Sequence, residues 1–143
     1  MLITAMVFFI LGTQVLHAQS VPTVQKVENS LRKNGRYAMM VMNVQHFKAA
    51  LLTGKALHQR SPKIRFQIIA CGSLVKELAE NSELKKEVAK AAQQSGHQVV
   101  ICGLSIKQFN VNTADLPTEA VITDNALLYS FGLQEMGYKT LIL

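Results

Sequence analysis

The chain has two thiols, Cys71 and Cys102, and each closes an apolar run and is followed at once by glycine. The runs are Phe66-Gln67-Ile68-Ile69-Ala70-Cys71-Gly72 and Gln98-Val99-Val100-Ile101-Cys102-Gly103-Leu104-Ser105-Ile106. A thiol where a buried strand gives way to a loop is within reach of backbone amides. These favour thiolate over thiol, and the thiolate is the form that attacks sulfur. Gly103 lets the backbone turn, so the first amides of a following helix would point back at the Cys102 sulfur. The competing reading is a packed, inert cysteine, since free Cys is among the most buried residue types.

Further polar groups fall on the same edge. Asn43 and His46 follow an earlier apolar run, Gly72 supplies a turn after Cys71, and Ser105 and Lys107 come just after Cys102. His46 would serve as a proton acceptor and Lys107 as a cation beside a thiolate, or each simply faces solvent. If the strands ending in the two cysteines are neighbours, about 4.8 Å apart, the sulfurs come within disulfide reach. If they are not, the thiols never meet.

Other chemistries lack a pattern. The four histidines (His17, His46, His58 and His97) are scattered, and two cysteines do not make the paired close ligands of a zinc ribbon. No phosphate-binding glycine motif occurs, so no nucleotide, metal or other cofactor is expected. The net charge of +6 would suit an anionic partner, but the cations are dispersed and there is no tryptophan to interleave with them. Nucleic-acid binding is therefore not expected.

The elements that would position the thiols can be read from apolar spacing. Residues 21–35 are polar, with Val24, Val27 and Leu31 spaced for a short helix. Residues 37–42 form a strand, and Asn43 caps a helix carrying Val44, Phe47, Ala50, Leu51, Gly54 and Leu57. Ser61-Pro62 stops it. The strand ending at Cys71 leads into two helical stretches broken at Asn81-Ser82, and Gly96 suits a C-terminal cap. The strand ending at Cys102 is followed by a polar loop over 107–117. A short strand at 120–123, a helix over 126–136 stopped by Gly137, and a last strand at 140–143 complete the chain. This alternation predicts a three-layer α/β/α sandwich with a five-stranded, mainly parallel sheet. In such sheets ligands meet the protein outside the carboxyl ends of the strands, where both cysteines fall.

Residues 1–20 differ in kind: Leu2 to Leu16 is mostly apolar, and no charged side chain occurs before Lys26. The run is short for a membrane span and has the length of a signal-peptide core, with Ala18-Gln19-Ser20 supplying small residues for cleavage. It predicts an exported, periplasmic protein without stable membrane insertion once the leader is removed. A cytoplasmic location is the alternative.

Three stretches, taken in order, resemble the DsrE/DsrF-like sulfur-relay family. They are Ile69-Ala70-Cys71-Gly72-Ser73-Leu74-Val75-Lys76-Glu77-Leu78, then Gly96-His97-Gln98-Val99-Val100-Ile101-Cys102-Gly103-Leu104-Ser105-Ile106, and Leu133-Gln134-Glu135-Met136-Gly137-Tyr138. The likeness spans residues 36–143. It implies a homo-oligomer such as a trimer or hexamer, and a cysteine after the third strand that carries sulfur as a persulfide between donor and acceptor proteins. Cys102 matches that cysteine, with Cys71 as an accessory thiol able to resolve the persulfide as a disulfide. The activity implied is that of a sulfur carrier or sulfurtransferase. Two features depart from the pattern. Asn125 stands where relatives often have glycine before the last helix, a position at which asparagine tolerates a left-handed turn. The leader also points outside the cytoplasm, where the relay members work. Two other functions fit the same residues: a non-catalytic oligomeric protein binding a small ligand in the strand-end cleft, and a thiol-disulfide redox protein using Cys71 and Cys102.

Overall fold

The computed structural model describes residues 21–94 and 96–143, so the predicted leader lies outside the described residues. The chain divides into two units at Ser30. In the first, α1 (Val24–Asn29) opens at Thr23, whose side chain accepts the amide of Lys26. The second, Leu31–Leu143, holds everything else. Its elements are β1 (Arg36–Val41), α2 (Val44–Arg60), β2 (Arg65–Ala70), α3 (Leu74–Glu80), α4 (Ser82–Ala92), β3 (His97–Cys102), α5 (Gly103–Gln108), β4 (Val121–Thr123), α6 (Ala126–Glu135) and β5 (Lys139–Ile142).

The five strands lie in the order β4-β3-β2-β1-β5, and every neighbouring pair is parallel. Parallel strands need crossovers, and the helices supply them on both faces, as expected for an α/β sandwich. Successive side chains of a strand point to opposite faces, so each strand feeds two cores. Met39, Val41, Phe66, Ile68, Ala70, Val99 and Ile101 point to the side covered by α2, α3 and α4. Phe47 and Ala50 of α2, Leu74 and Leu78 of α3, and Val88 of α4 pack there, all fully buried. Ala38, Met40, Ile69, Cys71 and Cys102 point the other way, onto Ala126 and Leu133 of α6 and onto Tyr138.

Local chemistry sets the boundaries. Asn43 caps α2 by accepting the amide of His46 at 2.9 Å, and Asn81 both ends α3 and caps α4 through the amides of Glu83 and Leu84. Gly96 and Gly137 adopt φ of +81°, the left-handed conformation that stops a chain from continuing as helix. In one place the loop expected after Cys102 is different: a helix, α5, begins directly at Gly103, and its Ile106 is buried in the larger core. Asn125 also differs from expectation. Its φ is −140°, so it makes no left-handed turn; its side chain caps α6 by accepting the amides of Leu127 and Leu128.

Among the described residues of this unit, one helix, α6, covers the Cys102 side of the sheet. Its outward residues Leu127, Leu128, Phe131 and the following Met136 are all more than half exposed. Leu141 and Ile142 on edge strand β5 are exposed to a similar degree.

A candidate thiolate site at the strand ends

Strand register brings the two cysteines together. Ala70 of β2 pairs with Ile101 of β3, so the next residues, Cys71 and Cys102, are opposite one another at the carboxyl edge. Both side chains lie in the core beneath α6, at 7% and 4% exposure, and both are free thiols.

The surroundings treat the two sulfurs differently. Burial alone would raise the Cys102 pKa, but four donors reverse it: the amides of Ala126 and Ser105, the Ser105 hydroxyl and the Cys71 thiol. The net result is a pKa below the ordinary thiol value. Cys102 occupies the N-cap position of α5 without a conventional capping bond. Its donors therefore act as charge-dependent contacts that strengthen when the sulfur is an anion. Cys71 moves the opposite way. Burial, followed by the charge and hydrogen bond of Cys102, pushes it up to about 12. Of the two thiols Cys102 is therefore the first to ionise, with Cys71 keeping its proton as the donor.

Ser105 is fixed for its role. Its Oγ accepts the amide of Gly72 at 2.9 Å, which leaves the hydroxyl proton free to point at Cys102. Gly72 sits at φ +60°, a turn that glycine makes without strain and that aims this amide across from β2 to α5. Gly103 meets the β4–α6 connection closely: a Cβ there would lie 2.8 Å from the Thr123 carbonyl and 3.0 Å from that of Asp124. That close approach brings the first turn of α6 over the sulfur.

Of the residues singled out in the sequence, Cys102, Cys71, Gly72, Gly103 and Ser105 converge on one place. Asn43 and His46 do not join them. They belong to the cap of α2, which packs on the opposite face, and the His46 ring stands 3.1 Å from the Asn43 amide. Lys107 is exposed on α5 and does not contribute to the stabilisation of Cys102, which comes from uncharged donors. The Ala126 amide was not singled out, because a backbone group has no residue signature. Asn125, a strong capping residue ahead of an apolar helix, was the signal that could have located it.

Elsewhere on the α6 face, Gln67 is the polar interruption of β2. Its Oε1 accepts the Tyr129 hydroxyl at 2.7 Å, and its Nε2 donates to the Tyr138 hydroxyl at 3.4 Å. On the other face a cleft of about 720 Å³ opens between α2 and α4, lined in part by Leu51, Phe66 and His97. It contains neither cysteine. The fold brings His58 and His97, distant in sequence, to a ring separation of 5.5 Å. No group of three or more metal-ligating side chains occurs among the described residues.

These features define an α/β protein with an all-parallel five-stranded sheet and a thiol pair at its strand ends. Two solved structures share the fold. One is the protein of unknown function MTH1491 from Methanobacterium thermoautotrophicum, with a TM-score of 0.68 and 14% identity, covering 76% of this chain and 99% of that one. The other is the conserved protein of unknown function BT1422 from Bacteroides thetaiotaomicron, with a TM-score of 0.59 and 16% identity, covering 80% of this chain and all of that one. No family model matches the sequence. No curated protein matches it either.

Proposed function

We propose that this chain is a DsrE-type sulfur-handling protein in which Cys102 accepts, holds or passes on sulfane sulfur as a persulfide. The observation that carries the reading is the convergence of four uncharged donors on one buried sulfur. A relay thiol must be anionic to attack a donor persulfide, and this arrangement supplies the anion without a neighbouring cation. The expected activity is that of a sulfur carrier or sulfurtransferase, with donor and acceptor proteins as partners. The apolar leader supports an exported setting. No helix among the described residues is long and apolar enough to cross a membrane.

The test is persulfide labelling after incubation with a sulfane-sulfur donor. Cys102→Ser is expected to lose the label, and Cys71→Ser to retain it. Equal labelling of the two variants would overturn the assignment.

The same reading includes a homo-oligomer. The stripe of Leu127, Leu128, Phe131 and Met136 supports it, since a lone helix with apolar residues on its outer side leaves surface that a second copy would cover. Sedimentation should give a mass above the 15.8 kDa of one chain. Phe131→Glu should shift it to the monomer; a monomeric wild-type protein would remove this part of the reading.

The cleft beside His97, whose Nε2 is buried without a partner, favours a second reading as a small-ligand-binding protein. That reading places the ligand away from the strand ends and expects an unreactive Cys102. Thiol titration separates the two.

A further inference from the structure

We infer that Cys71 resolves the loaded site: the accepted sulfur leaves as hydrosulfide and a Cys71–Cys102 disulfide closes behind it. This rests on the persulfide reading and specifies the fate of the sulfur, which is reduction rather than onward transfer alone.

The geometry comes from the sheet. Residues 71 and 102 follow the paired Ala70 and Ile101, and both side chains project to the same face into one cluster. Neighbouring strands are about 4.8 Å apart, inside the range of about 4.4–6.8 Å between the Cα atoms of disulfides. The Cys71 thiol already contacts the Cys102 sulfur. Cys102 is only 4% exposed, so an external thiol must enter by the route that the donor uses, whereas Cys71 needs no diffusion.

The chemistry balances in two steps. First, the Cys102 thiolate attacks the outer sulfur of a small persulfide, RSSH. The Cys102 persulfide forms, and RS⁻ leaves. Second, Cys71 gives up its proton and attacks the Cys102 Sγ. The bond to the outer sulfur breaks, HS⁻ leaves and takes that proton as hydrogen sulfide, and the protein disulfide forms. The two cysteines together lose two electrons, and the sulfane sulfur gains them. A dithiol reductant then regenerates both thiols and is itself oxidised to a disulfide.

The order of events follows from charge. An anionic Cys102 holds Cys71 protonated. Once Sγ is bonded to a second sulfur it no longer carries that charge. Any remaining charge then sits on the outer sulfur, so direct opposition from Sγ to ionising Cys71 is gone, while the donors of Ser105 and Ala126 remain beside the pair.

The experiment is a time course on the reduced full-length protein with one equivalent of a small organic persulfide, whose own leaving group is a thiolate and not sulfide, quenched by alkylation and read by intact mass and by released sulfide. Wild type is expected to gain one sulfur transiently. It should then settle two hydrogens below its reduced mass, with one sulfide released and a Cys71–Cys102 cross-linked peptide. Cys71→Ser should keep the added sulfur and release no sulfide. A wild-type protein that keeps its added sulfur, with no cross-link, overturns the inference and leaves the persulfide reading standing. Absence of added sulfur and of any cross-link in both proteins overturns the persulfide reading itself. Should Cys71→Ser fail to fold, the wild-type masses and cross-linked peptide decide alone.

Discussion

The rate–pH profile for alkylation of Cys102 should move up by about one pH unit in a Ser105→Ala variant, because one hydrogen bond to a charged acceptor is worth about 1.5 kcal/mol or more. Ser105 presents both its amide and its hydroxyl to the sulfur, and the substitution removes only the hydroxyl. Losing a donor to the anion raises the Cys102 pKa, so the rate–pH profile moves to higher pH. The Cys71 thiol, pushed up to about 12, should stay unreactive across the same range. Ser105→Ala also leaves the Gly72 amide without its acceptor, which adds a destabilisation of about 1–3 kcal/mol, visible in denaturant unfolding. Leu104→Ala, at an exposed neighbour, is the control and should not move the profile. An unchanged profile in Ser105→Ala would show that the hydroxyl does not hold the charge.

The two thiols also act on stability with opposite signs. The Cys102 value is depressed on folding, so its contribution is present above the unfolded thiol pKa and is lost as pH falls through the folded value. The Cys71 value is raised from 9.0 to about 12, so its contribution is present below 9.0 and is lost as pH rises toward 12.

Gly103→Ala is expected to cost about 1–3 kcal/mol of stability and to weaken the thiolate at the same time. The added methyl would meet the Thr123 carbonyl at 2.8 Å, the Asp124 carbonyl at 3.0 Å and the Asp124 Cα at 3.1 Å, all backbone atoms that cannot rotate aside. The connection from β4 to α6 must therefore shift, and the Ala126 amide shifts with it, away from Cys102. Denaturant midpoint and alkylation profile should move together. Gly132→Ala is the natural comparison, because a Cβ there meets nothing within 4 Å inside α6. It should stabilise the protein by about 0.5–1 kcal/mol through helix propensity and leave Cys102 untouched. If Gly103→Ala behaves like Gly132→Ala, the close approach does not govern the site.

The sheet was readable because its central strands are buried on both faces. Ile68-Ile69-Ala70 and Val99-Val100-Ile101 are continuous apolar runs, and two of the helices that precede these strands, α2 and α4, begin at Asn43 and Asn81, whose capping chemistry is local. The position of the cysteines at the strand ends followed from the same runs. What was not readable depended on contacts across the fold. The six residues of α5 are too few to show a helical period, so the segment reads as part of a loop. The amides after Gly103 were expected beside Cys102, but the Ala126 amide arrives from another element and leaves no trace in residue type, and Lys107, the cation considered there, takes no part. Asn125 and glycine are both found where a chain turns sharply, and only the backbone angles separate a left-handed turn from a cap.

The first turn of α6 has two occupations. Its opening amide, from Ala126, steadies the sulfur anion, while the next two residues, Leu127 and Leu128, belong to the exposed apolar stripe. One helical turn thus carries the contact to the sulfur on its inner side and bare apolar surface on its outer side, at adjacent residues.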